Sequence, residues 1–378
     1  MGVVVAGGGL AGSSAAITLA KAGVDVTLFE RETLPVHKIC GEFLSAEAQT
    51  YLEQLGLNIA ALGGAATSQL RLVRGNQEIT TALPFQGLGL SRFTLDEALL
   101  NHAAACGAAV LRGHAIQGGT SGDRLALDVK NYGVIHPKTL FLATGKHELR
   151  GMKRAFAAPN DLIGFKTYFR LTPQARSALN RYSDPILFQD GYAGLQLVEG
   201  GLVNLCLLIS RARVKRVGSK WASLFDDLLK CCPCLARRLA GATEVLQQPL
   251  AIYRVPYGFT YQPRNTDPPQ IFRLGDQAGV IHSFTGDGMS IALHSAALAA
   301  EYYLSGRTSL AYHRRLSCDI RAQINRAGAL YSLISHTSVQ ASLFGLLRFW
   351  PAGLHIAANF TRVPHQAMVD QSALSCHD

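Results

Sequence analysis

The residues whose types and spacing could do chemistry start with three glycines and an acid. Gly7, Gly9 and Gly12 stand as G-x-G-x-x-G, and Glu30 follows about 20 residues on. In that pattern Gly7 allows a tight turn, Gly9 lets the backbone approach a pyrophosphate, and Gly12 lets a helix pack closely on a strand. Leu10 and Ala11 open that helix, whose N-terminus offers unpaired N–H groups to an anion. Glu30, followed by Arg31, stands where a carboxylate accepts both ribose hydroxyls and repels a 2′-phosphate. The expected ligand is a dinucleotide, FAD or NAD rather than NADP.

The elements that must hold these residues are legible around them. Val3-Val4-Val5-Ala6 reads as a buried strand, the Ala-rich stretch 13–22 as a helix, and 26–29 as a second strand ending at Glu30, a complete βαβ unit. A helix capped by Ser45 and ended by Gly56 follows, then a strand pair at 69–74 and 78–83. Thr94 and Glu97 predict a capping box for a helix running to Cys106. Strands are expected at 108–111, 125–129 and 139–143, the last leading into Thr144-Gly145. From 151 to about 269 the texture changes to strands at 165–171, 186–189, 192–198 and 202–209, with a hairpin turn at Glu199-Gly200-Gly201 and a helix at 221–229. Phe169, Phe188, Tyr192, Leu195 and Leu197 alternate on those strands, which fits a substrate pocket or a core. The first domain resumes at 271–276, a long Ala-rich helix spans 289–303, and the chain is helical from 310 onward.

Composition sets the class. With 378 residues, 48% of them hydrophobic and 16% charged, the chain is long enough for a large core and two structural domains. A net charge of +10 favours anionic partners such as a nucleotide, an acidic substrate or an anionic membrane face. The basic residues are scattered rather than interleaved with aromatics, so nucleic acid is not expected. Cys231, Cys232 and Cys234 lack a second thiol or histidine pair at a matching interval, so no metal is expected. The opening strand leaves no room for a signal peptide and no apolar run reaches a spanning length, so a cytoplasmic location is expected. The greasy stretch 342–351, with Arg362 beyond it, fits peripheral contact with a membrane or packing over the substrate domain.

Three separated segments resemble the flavoprotein superfamily of para-hydroxybenzoate hydroxylase, geranylgeranyl reductase and the flavin-dependent halogenases. They are the βαβ unit with Glu30, Ala143-Thr144-Gly145, and Gly275-Asp276 through Thr285-Gly286-Asp287-Gly288-Met289. Lys38-x-Cys40-Gly41-Glu42-x-Leu44-Ser45 is similar to the geranylgeranyl-reductase branch. The resemblance implies an α/β fold with a Rossmann-like FAD-binding domain of glutathione-reductase type, discontinuous over 1–65, 91–150 and 270–305. An inserted antiparallel β-sheet substrate domain is implied over 66–90 and 151–269, and C-terminal helices over 306–378. It implies cofactor contacts from Lys38, Gly41, Arg92, Thr144, Gly145, Gly275, Asp276, Gly286, Asp287, Gly288 and Met289. The chemistry agrees. Asp276 at the end of a buried strand needs donors that a ribityl hydroxyl supplies, and Gly286 and Gly288 at a helix start present N–H groups to a reduced flavin.

The departures are informative. Trp221 and Trp350 stand outside the halogenase tryptophan motif, Pro256-Tyr257-Gly258-Phe259 lacks the tryptophan of the isoprenoid reductases, and Thr144-Gly145 replaces the Asp-Gly of the hydroxylases. No second G-x-G-x-x-G occurs, so NAD(P)H is expected as a transient electron donor. His282 and Cys40 are the catalytic candidates, with His37 and His294 as further candidates for proton transfer; an ordinary buried or hydrogen-bonded side chain is the commoner reading of such residues. The expected function is an FAD-dependent oxidoreductase, foremost an NAD(P)H-dependent monooxygenase of a lipophilic or aromatic small molecule. A geranylgeranyl-reductase-like enzyme and a flavin-binding carrier are the alternatives.

Overall fold

Val3-Val4-Val5-Ala6 is apolar at every position, so the strand it forms has to be covered on both faces. In the computed structural model, which describes residues 1–121, 124–154 and 161–370, that strand is the middle of a five-stranded parallel sheet. The chain runs through β1 (Val3–Ala6), α1 (Leu10–Lys21), β2 (Val26–Glu30), β3 (Phe43–Leu44), α2 (Ala46–Gln54), β4 (Ala65–Arg74), β5 (Gln77–Gly89), α3 (Arg92–Ala105) and β6 (Ala109–Arg112). A small sheet of β7 (Ile116–Ser121), β8 (Leu125–Val129) and β9 (Gly133–Ile135) precedes β10 (Thr139–Leu142). The next block is β11 (Leu162–Arg170), α4 (Pro173–Leu179), β12 (Arg181–Phe188), β13 (Gly191–Leu197), β14 (Leu202–Ser210), α5 (Arg211–Arg216), α6 (Trp221–Cys231), α7 (Pro233–Arg238), β15 (Thr243–Glu244) and β16 (Leu250–Tyr253). Strand β17 (Ile271–Arg273) returns to the first sheet, and α8 (Gly288–Leu304), α9 (Ser309–Ser335), α10 (Thr337–Phe349) and α11 (Ala352–Phe360) follow.

The parallel sheet has the order β17-β10-β1-β2-β6. Placing β17 beside β10 brings residue 271 next to residue 140, so the two distant halves of the nucleotide-binding region close into one body. Helices α1 and α8 pack against each other over this sheet, and Phe141 stacks on Phe272 at 4.9 Å within the core. The second sheet has nine strands in the order β15-β11-β14-β13-β12-β4-β5-β3, with β16 on β11. It is antiparallel except where β12 meets β4, since those strands come from separate passes of the chain. Phe169, Phe188, Leu195 and Leu197 pack on one face of it with α6 and α7, while Tyr192 points into a different layer, with Leu208 and Phe344.

One capping prediction changes. Helix α3 begins before Thr94: Ser91 is the cap, its Oγ accepting from the Thr94 N–H at 3.1 Å. Glu97 does not reach back but pairs with Arg112 of β6 at 2.7 Å. The cause is tertiary. Glu199, from the turn between β13 and β14, accepts from the Ser91 N–H at 2.9 Å and from the Thr94 hydroxyl at 2.6 Å.

Candidate functional site

At the end of β1 the backbone turns at Gly7, whose φ of +105° only glycine adopts freely. A Cβ at Gly12 would lie 1.8 Å from the Gly7 carbonyl oxygen, so α1 rests directly on the turn. Gly9 caps α1 with no side chain over its first N–H groups. Glu30 is buried; Oε2 accepts from the Gly8 N–H at 2.6 Å and Oε1 from the Glu32 N–H at 3.0 Å. Each carboxylate oxygen keeps a further lone pair for a ribose hydroxyl.

Cations gather beside the glycine turn. A Cβ on Gly9 would meet an Arg92 guanidinium nitrogen at 3.2 Å and Lys38 Nζ at 3.8 Å. Both are aimed by Asp96, which accepts from Arg92 Nε at 2.6 Å and from Lys38 Nζ at 2.8 Å. Burial would raise the Asp96 carboxyl, but Arg92 and Lys38 outweigh it and hold it below the usual range. Farther along, Asp276 sits 3.8 Å from Lys146 Nζ, and its backbone carbonyl accepts from Arg154 at 2.6 Å.

Beneath the Lys38–Ser45 segment lies a charged cluster that the sequence reading did not pick out. Glu42, fully buried at a φ of +61°, accepts from Lys166 Nζ, from the Tyr168 hydroxyl at 2.7 Å and from the Arg92 N–H at 2.7 Å. Burial pushes the Glu42 carboxyl up, while Lys166, Arg92 and Tyr168 pull against it. Lys166 also donates to the Lys38 carbonyl at 2.8 Å, and Asn204 donates to the Cys40 carbonyl at 3.0 Å. The second sheet thereby grips the loop that carries Lys38, Cys40 and Gly41.

Of these groups Arg92, Lys38, Lys146 and Glu42 line one cavity of about 780 Å³. Glu30 and Asp276 both line it, as do the glycines at the start of α8. Of the residues expected at the cofactor, Gly12 and Asp287 lie off the wall and the others are on it. Asp287 is buried and faces Arg362 at 3.3 Å, and burial pushes its carboxyl up to about 7. The far wall is apolar: Leu207, Leu208, Leu250, Ile252 and Phe43 line it together with Cys206 and Tyr257. At that wall Ser283 Oγ lies 3.2 Å from the Tyr257 hydroxyl and 3.0 Å from that of Tyr192. Burial raises both phenols well above their ordinary range, so they stay protonated.

Cys40 and His37 are on the cavity wall, whereas His282 is not. The His282 ring is sandwiched by Tyr257 and Tyr331, at 4.9 and 4.3 Å, and burial lowers its pKa to about 4. His294 is held inside the helical core between Tyr51 and Asp319, at 2.9 and 3.2 Å.

Residues 1–125 match the family model described as FAD binding domain. The first third of the chain is thus an FAD-binding domain. This flavoprotein is 26% identical over 331 residues to the menaquinone reductase of Mycobacterium tuberculosis, covering 79% of this chain and 75% of that one. In fold it is similar to the myxobacterial chondrochloren halogenase CndH, with a TM-score of 0.75, 17% identity and coverage of 99% and 96% of the two chains. The halogenase PltM in complex with phloroglucinol and FAD has a TM-score of 0.71 and 15% identity, over 89% of this chain and 78% of that one. The residues present fit the cofactor. The bare start of α1 with Arg92 and Lys38 beside it suits a pyrophosphate, Glu30 suits the adenosine ribose, and a cavity running on to Asp276 leaves room for the ribityl chain.

Proposed function

We propose that this flavoprotein inserts oxygen into a lipophilic, uncharged aromatic or unsaturated small molecule, with NAD(P)H as the transient electron donor. The observation that carries the reading is the single cavity, which joins an FAD cradle to an apolar wall whose hydroxyl groups are neutral. Bound FAD supplies two-electron transfer and, once reduced, the activation of O2.

The chain's own residues do the rest. Glu30, Arg92 and Lys38 would hold the nucleotide, and the start of α8 at Gly288 would lend its N–H groups to negative charge on a reduced flavin. Leu207, Leu208, Leu250 and Ile252 exclude water from the reacting end. Tyr257 donates a hydrogen bond to a hydroxyl or carbonyl of the substrate, with Ser283 and Tyr192 fixing the phenol behind it. A phenol raised this far is a weak acid, and His282 at about 4 is neutral at pH 7. Orientation therefore suits this wall better than proton donation, which favours oxygen insertion over reduction.

Reduction of an unsaturated isoprenoid or quinone-like substrate is the second reading. It is supported by the likeness to a menaquinone reductase across most of both chains and by Cys40 on the cavity wall. One pair of assays separates the two. FAD-loaded protein given NAD(P)H and a lipophilic phenol should consume O2 in proportion to product and carry label from 18O2 into it. Substrate-dependent reoxidation of the flavin under argon, with no label incorporated in air, would replace oxygen insertion by reduction.

A further inference from the structure

The segment 320–369 contains no Asp or Glu, yet it contains Arg321, Arg326, Arg348 and Arg362. Its helices α10 and α11 are apolar on two sides. Inward, Phe344, Leu347 and Leu354 pack with Leu72, Ile79 and Leu208 of the second sheet. Outward, Leu346, Phe349, Trp350, Ile356 and Phe360 are exposed, Phe349 at 89% and Trp350 at 53%. Six of the thirteen exposed large apolar side chains among the described residues fall between Leu333 and Phe360. Basic groups stand among them: Arg348 is exposed one residue before Phe349, and Arg326 stacks over the Phe360 ring at 4.3 Å. Among the described residues no helix is long and apolar enough to cross a membrane.

We propose that the outer face of α10 and α11 docks on an anionic lipid bilayer. Phe349 and Trp350, at the turn between the helices, enter the headgroup region, and Arg348 and Arg326 meet lipid phosphates. Charge decides between this occupant and a second copy of the chain: a face whose own segment, 320–369, is basic and carries no carboxylate repels its own twin and attracts anionic lipid. Position agrees with this. The apolar layer under the two helices includes Leu208 and Tyr257, which also line the cavity, so a bilayer-borne substrate would meet a continuous apolar path. That last point rests on the proposed function; the docking itself does not.

The test uses the full FAD-loaded protein and vesicles of phosphatidylcholine with and without phosphatidylglycerol. Co-sedimentation is expected with the anionic vesicles and should weaken as salt rises. F349S/W350S should lower the partition coefficient at least about tenfold, and R348Q about fivefold. Flavin content and thermal midpoint should stay at the parent values, because these side chains are exposed. Wild-type protein that remains in the supernatant, or a double variant that sediments as well as wild type, would overturn the proposal. So would a concentration-dependent dimer that the double variant dissolves, since the face would then belong to a second copy. A protein that binds vesicles but neither consumes O2 nor reoxidises its flavin would leave the docking intact and remove only the reaction.

Discussion

At the nucleotide end of the cavity the polar groups are charged and aimed at the ligand: Glu30 is held by two backbone N–H groups, and Arg92 and Lys38 are steered by Asp96. At the sheet end they are neutral, with Tyr192, Ser283 and Tyr257 in line and His282 stacked behind them. Charge at the sheet end is confined to the Glu42–Lys166 pair, in which Glu42 borders the cavity with its carboxylate buried and paired. The difference follows from the ligands each end suits. A dinucleotide keeps its charge in every turnover and needs fixed counter-charges, whereas a lipophilic substrate would be expelled by them.

Breaking the buried pair should have the largest effect. Lys166→Met leaves the Glu42 carboxylate without its cation, and urea denaturation should show a loss of about 3–5 kcal/mol. A loss below about 1 kcal/mol would mean that the loop carrying Cys40 does not depend on this tie.

The neutrality of the sheet end predicts a pH slope. His282 has a folded pKa of about 4 against 6.5 when unfolded, so its contribution is complete above pH 6.5 and is lost as pH falls toward 4. The slope is about 1.4 kcal/mol per pH unit. His313, lowered to about 3 by burial and by Arg273, adds a slope of the same sign and Asp287, raised to about 7, one of the opposite sign, so His282→Leu should lower the net slope by about 1.4 kcal/mol per pH unit in melts between pH 6.5 and 4.5. An unchanged slope would show that His282 is already charged in the native protein.

At the charged end, Glu30→Gln should weaken FAD about tenfold in a flavin-fluorescence titration, by loss of charge-assisted bonds to the ribose. Equal affinity would move the adenosine away from Glu30. The smallest effect belongs to Tyr257→Phe, which should raise KM for a phenolic or quinone-like substrate by about threefold to fivefold with flavin content unchanged. A fall in kcat with unchanged KM would instead assign Tyr257 to proton transfer.

Legibility in the sequence differs between the same two regions. The glycine turn, Glu30, and the strands and helices around them could be read directly, because each depends on neighbours within one βαβ unit. Asp276 could be read only through its resemblance to a known segment. Lys166 and Tyr168 left a faint signal: two residues apart on one strand, they share a face, and a lysine on a buried face needs a partner. Nothing local named that partner as Glu42, which lies 124 residues away. The same limit moved the start of α3 to Ser91, since the Thr94–Glu97 pattern holds no trace of Glu199 from the second sheet.

By itself the sequence determined that a dinucleotide cradle opens this chain, that a sheet-rich block follows, and that an Ala-rich helix at 289–303 comes after that block. These follow from periodicity and turn chemistry acting over a few residues. Only the tertiary structure decided that β17 lies beside β10, so that Glu30 and Asp276 face one cavity. It alone turned His282 into a stacked neutral ring and made Tyr257, Ser283 and Tyr192 neighbours. Contacts between strands far apart in the chain depend on which sheet edges meet, and no local pattern of residues encodes that choice.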